Sequence, residues 1–127
     1  MTRNANRNAD RNIATRFRHF CLSLPGAHEV HFGHGPTYRI ANKIFAMDRE
    51  HDGRMSVYCK VPKGSQPLMI ETAPDHFFYP PYVGVKGWIG AYLDGPDWTE
   101  ADWTEIEALV KRSYQLVAPK KYAAKLT

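Results

Sequence analysis

The sequence predicts an α+β fold: an N-terminal helix, an antiparallel sheet with a short inserted helix, and a C-terminal helix packed on the sheet. Three observations carry that expectation. Apolar residues recur at helical spacing near both ends of the chain, strict two-residue alternation appears in the middle, and turn-forming residues punctuate the segments between. At 127 residues the chain is one domain's worth. That length buries roughly two thirds of the unfolded surface, enough to fold without a disulfide or metal staple.

Taken in order, residues 1–12 repeat a short phrase (RNAN, RNAD, RNIA). Its asparagines are poor helix formers, so a flexible Arg/Asn-rich tail is expected there, with a single domain over 13–127. Ile13, Phe17, Phe20 and Leu24 form one apolar helix face, which Pro25 and Gly26 end. His34-Gly35-Pro36 reads as a turn. TYRIA (37–41) and KIFAM (43–47) read as strands joined at Ala41-Asn42, and DREHDG (48–53) as a polar turn. In RMSVYCK (54–60), Met55, Val57 and Cys59 alternate with Ser56, Tyr58 and Lys60, as in a half-buried antiparallel strand. A short helix is expected around Gln66 to Thr72. FFYPPY (77–82) cannot be a central strand, because two prolines remove ladder donors. GWIGAYL (87–93) reads as a strand whose glycines admit close backbone approach. Trp103, Ile106, Leu109, Val110, Tyr114 and Val117 form the stripe of the last helix. Asp97 and Glu100 are expected to cap it, and Pro119 to stop it.

The composition, 43% hydrophobic and 24% charged, is that of a soluble globular protein. No stretch approaches the ~18 apolar residues of a membrane span, and no secretory signal is evident at the start, so a cytoplasmic protein with no membrane partner is expected. Cys21 and Cys59 read as two reduced, buried thiols. Cys59 beside Lys60 invites the idea of a lowered thiol pKa, but strand alternation sends the two side chains to opposite faces. The net charge of +4 is unevenly spread, with basic ends and an acidic block at 94–105. Basic ends can meet phosphate.

HEVHFGHG (28–35) holds three histidines, the densest candidate metal cluster. A zinc-protease helix needs HExxH, placing both histidines on one face. Here the order is HExH, and Gly33, Gly35 and Pro36 deny the helix. Loop histidines bonded to backbone or water are therefore expected at His28, His31 and His34, with no metal and no cofactor. No GxSxG, Walker A or GxGxxG motif is present, and no catalytic residue is assigned. What remains is a set of cations interleaved with aromatics: Arg39, Lys43, Lys60, Lys86, Lys120 and Lys121 among Tyr38, Tyr58, Tyr79, Tyr82 and Trp88. Cations and aromatics on a sheet suit phosphate contact and base stacking.

The phrases SLPGAHE (23–29), TYRIANKIFAM (37–47), RMSVYCKVPKG (54–64), FFYPPYVGVKGWIGAYLD (77–94) and SYQLVAPKK (113–121) together resemble the MmcQ/YjbR family of small bacterial proteins. The resemblance implies a frataxin-like (CyaY-like) fold and a DNA-binding role, with no reaction, cofactor or catalytic residue attached. The expected function is non-enzymatic DNA binding through Arg39, Lys43, Lys60, Lys86, Lys120 and Lys121. The alternative is a small-molecule or protein-binding module, using an aromatic pocket near Tyr79–Tyr82 and Trp88.

Overall fold

The computed structural model describes residues 3–95 and 98–126, with side chains from residue 12 onward. Among these residues six strands form one antiparallel sheet: β1 (His28–Phe32), β2 (Gly35–Ile40), β3 (Lys43–His51), β4 (Arg54–Lys60), β5 (Phe77–Phe78) and β6 (Trp88–Tyr92). Their spatial order is β1-β2-β3-β4-β6-β5. The helices are α1 (Arg3–Ser23), α2 (Ser65–Thr72), α3 (Glu100–Val117) and the short α4 (Lys120–Ala123). The α+β plan read from the sequence is the plan of the molecule. Among the described residues no helix is long and apolar enough to cross a membrane.

Helices α1 and α3 lie side by side on one face. Phe17 of α1 meets Tyr38 of β2 edge-on at 5.8 Å, and Tyr114 of α3 meets Phe45 of β3 at 5.4 Å. Arg16 grips the Glu100 carboxylate with both terminal nitrogens, at 2.8 and 2.6 Å, while its guanidinium lies 4.4 Å over the Trp103 ring. The core between helices and sheet comprises Phe17, Cys21, Tyr38, Phe45, Val57, Cys59, Ile89, Val110 and Tyr114, each fully or almost fully buried.

One buried hydroxyl joins α3 to the centre of the sheet. The β3–β4 ladder runs from His51↔Arg54 to Ala46↔Cys59, and the next rung would pair Phe45 with Lys60. Phe45 is also unpaired on its other side, where the β2–β3 register shifts. The Ser113 hydroxyl occupies that rung. It donates to the Phe45 carbonyl at 2.7 Å and accepts from the Lys60 N–H at 2.9 Å, with no solvent exposure.

Several elements differ from the sequence expectation. The first helix begins at Arg3, not at residue 13, so the backbone is helical through the segment read as a tail; extending an established helix costs far less than starting one. β1 was not expected. The HEVHF stretch pairs along its whole length with β2, whose start also takes in Gly35 and Pro36. β3 runs on to His51, leaving Asp52 and Gly53, both at positive φ, as a two-residue hairpin turn of the kind that matches strand twist. β4 is buried on both faces at its centre rather than half-buried. Thr99 caps α3: its N–H and hydroxyl both donate to Asp102, at 2.7 and 3.1 Å, so Thr99 and Asp102 form the capping box and Glu100 does not. Asp97 lies outside the described residues.

Alternation through this register sorts the sheet's charges. Glu29, Asp48 and Glu50 share the helix face with Tyr38, Ala46, Met55 and Val57. Glu29 accepts from Arg18 of α1 at 2.6 Å. Asp48 is partly buried there, with the Tyr38 hydroxyl 3.5 Å away. Burial raises the Asp48 carboxyl above the usual range, and nearby Arg49 and the Tyr38 hydroxyl only partly pull it back.

Two outcomes follow. Ser113→Ala strands the Phe45 carbonyl and the Lys60 N–H in the core. Denaturant unfolding should show a loss of about 1–3 kcal/mol, and an unchanged midpoint would mean the rung is satisfied otherwise. Asp48 binds its proton more readily folded than unfolded, so its contribution to stability falls as pH rises above the ordinary carboxylate value. Asp48→Asn should therefore melt higher than the parent at neutral pH, with the gap closing as pH drops through the acid range. A gap that widened on acidification would contradict the assignment.

Candidate functional site

The second face of the sheet lies away from α1 and α3. Its strand residues are His28, Val30 and Phe32; Thr37 and Arg39; Ile44, Met47, Arg49 and His51; then Arg54, Ser56, Tyr58 and Lys60, with Phe78, Trp88 and Tyr92 completing it. Not one of these is a carboxylate.

One row crosses this face. His28 pairs with Arg39, Arg39 with Ile44, and, one strand further, Lys60 with Trp88. Neighbouring strands are about 4.8 Å apart, so the Arg39 and Lys60 backbones stand roughly 10 Å from each other across β3. Arg39 packs its guanidinium 5.8 Å from the Phe32 ring and donates to the Thr37 hydroxyl at 3.0 Å. Neither Arg39 nor Lys60 has a carboxylate partner among the described ion pairs.

Two further cations stand on the face, and both are committed to structure. Arg49 donates to the carbonyls of Pro36 (2.9 Å) and Asp48 (2.8 Å), stitching β2 to β3. Arg54 stacks 3.7 Å over the Tyr92 ring, with Asp94 Oδ1 3.4 Å from its Nε, and also donates to the Asp94 carbonyl. Sequence reasoning passed over both. The signal was present: with β3 read through to His51, residues 47, 49 and 51 fall on one face with 54, 56, 58 and 60.

An aromatic lattice forms the floor beside these cations. Phe78 stacks on His51 at 3.8 Å and 12°, lies 4.7 Å from Tyr92, and meets Tyr58 edge-on at 5.9 Å. It reaches the sheet because Gly90, directly opposite, has no Cβ; any side chain there would collide with the ring. Burial pushes the Tyr58 phenol up, so it stays neutral. The small polar residues are satisfied within the sheet: Thr37 donates to the Val30 carbonyl at 2.6 Å and Ser56 to that of Arg49 at 2.7 Å.

The other predicted ligands sit around this face or beyond it. Lys43 is exposed at the β2–β3 turn, and Lys86 is exposed at the end of the 3-10 turn over Val83–Lys86, just before Trp88. Lys120 and Lys121 are exposed on α4, which lies on the helix side: a side chain at Gly26 would meet both the Tyr122 ring and Ile40. The structure thus brings Arg39 and Lys60 together, sets Lys43 and Lys86 near the same end of the sheet, and places Lys120 and Lys121 elsewhere.

The remaining chemistry also has an address. His28 and His31 are on β1 and not in a loop, and His31 lies 3.1 Å from Glu29. Among the described residues no three His, Cys, Asp or Glu side chains are grouped to hold a metal. Cys59 faces the core while Lys60 faces away, and burial pushes the thiol up to about 12, the reverse of activation. The aromatic pocket expected at Tyr79–Tyr82 is not formed by Tyr82, whose side chain is 89% exposed. A cleft of about 460 Å³ lies instead beside Arg54, Asp75, His76, Asp94 and Trp98. Its aspartates repel polyanions.

The YjbR family model matches residues 22–116. Among solved structures, the crystal structure of Deinococcus radiodurans protein DR2400, with a DUF419 domain, superposes with a TM-score of 0.68. It is 18% identical, and the alignment covers 89% of this chain and 86% of that one, a likeness of fold. Comparison with curated proteins finds no match. The matched segment opens in the last turns of α1 and closes near the end of α3, enclosing the whole sheet and the Ser113 rung: the chain belongs to the YjbR family.

Proposed function

We propose that this protein is a non-enzymatic nucleic-acid-binding protein, with DNA as its ligand, and that the helix-free face of the sheet is the contact surface. The observation that carries the reading is the sorting of charge by alternation. Every carboxylate of the described strands falls on the helix face, while Arg39, Arg49, Arg54 and Lys60 fall on the other. A polyanion meets cations and aromatic rings there without meeting a strand carboxylate. Arg39 and Lys60 neutralise phosphates, and Lys43 and Lys86 extend the contact at the end of the sheet where Trp88 lies. Arg49 and Arg54 add field while holding the hairpins in place. Lys120 and Lys121 project from the helix side and contribute only to the overall charge.

Four phosphate contacts give a slope of log affinity against log salt of about −3 to −4. Fluorescence anisotropy with a labelled oligonucleotide should show that slope for the parent protein. Lys60→Ala should bind more weakly and flatten the slope by about one. Lys120→Ala with Lys121→Ala should change little. No binding at low salt, or Arg39→Ala and Lys60→Ala variants that bind like the parent, would end the proposal.

A further inference from the structure

The loop between β5 and β6 contains a residue in a conformation that its side chain disfavours. Tyr82 has φ 64° and ψ −57°, and the Val83 N–H donates to the Pro81 carbonyl at 2.7 Å across it. That is a γ-turn of the rare hand, strained for any residue with a Cβ. Glycine relieves such strain at once, yet a tyrosine stands here with 89% of its surface exposed.

The surroundings hold the turn. Pro80 and Pro81 fix their own φ angles. The Gly84 N–H donates to the Pro80 carbonyl at 3.0 Å, and the Gly87 N–H to that of Gly84 at 3.0 Å. The Gln66 side-chain amide of α2 donates to both the Gly84 carbonyl (3.0 Å) and the Trp88 carbonyl (2.6 Å), tying the loop to the first residue of β6. The Tyr79 ring fills the space a side chain at Gly84 would need. An aromatic ring is thus displayed to solvent on a braced arm. Four residues on is exposed Lys86, and two beyond that is Trp88, paired with Lys60.

A flat exposed ring four residues from an exposed lysine fits one ligand chemistry closely: a nucleobase with a free face, next to its own phosphate. A duplex keeps those faces inside its stack. We infer that Tyr82 is a stacking residue and that the nucleic acid this surface takes is single-stranded. The inference rests on the nucleic-acid reading above and adds the form of the ligand. The cations supply attraction that depends on salt; the ring supplies attraction that does not.

The test uses the full chain, a labelled oligothymidine and a labelled duplex hairpin. The parent should prefer the single strand. Tyr82→Gly should weaken oligothymidine binding about tenfold while leaving duplex binding and the salt slope unchanged, and Tyr82→Phe should bind like the parent. Tyr82→Gly should also melt at least as high as the parent, since glycine adopts the turn without strain. If Tyr82→Gly binds oligothymidine like the parent while Lys60→Ala does not, the stacking role falls and the phosphate reading stands. If Tyr82→Gly weakens both ligands equally and flattens the slope, the ring is not a stacking platform. If the parent binds neither, both readings fall and the exposed ring is left as an anchor for a protein.

Discussion

The Ser113 hydroxyl, held between the Phe45 carbonyl and the Lys60 N–H, is the constraint on which the two faces of the sheet depend. Side chains alternate along a strand, so a slip of one residue exchanges its faces completely. In β4 such a slip would turn Val57 and Cys59 outward and drive Tyr58 and Lys60 under the helices. The pattern of apolar residues already penalises that. Ser113 adds a directional penalty, because its donor and acceptor fit one rung only. It also ties register to helix position: α3 cannot slide along the sheet without breaking the same two bonds.

From that register the division of labour among the cations follows. Arg49 spends its guanidinium on main-chain carbonyls, and the lack of a side chain at Gly35 leaves room beside it. Arg54 is held by the Tyr92 ring and by Asp94. Both sit at fixed positions, as a scaffold requires. Arg39 and Lys60 have no anionic partner among the described ion pairs and remain available to a ligand. No described bond from either side chain to a carboxylate would have to break for an anion to reach them.

Local patterns made much of the fold legible. RMSVYCK alternates so strictly that β4 was bounded to the residue, and the stripe from Trp103 to Val117 set the end of α3. The prolines of FFYPPY excluded a central strand, and the two residues that do pair there, β5, lie at the edge. β1 was missed because its apolar alternation is only two residues long, Val30 and Phe32, and is set among histidines that read as loop chemistry. Alternation placed Lys60 on the face away from the core, since it needs only local sequence. Ser113 was invisible for the opposite reason: its role is defined by two backbone groups 53 and 68 residues away. The strain at Tyr82 is likewise a property of the folded loop and not of the letters that encode it.

The two borders of the sheet carry a last consequence. β5 ends after two residues because Pro80 and Pro81 offer no N–H to a ladder. At the opposite border, β1 carries His28, Glu29 and His31, with Glu29 already bound to Arg18. An approaching extended chain finds one border cut short and the other ionic. The sheet therefore resists growing by strand addition into fibres.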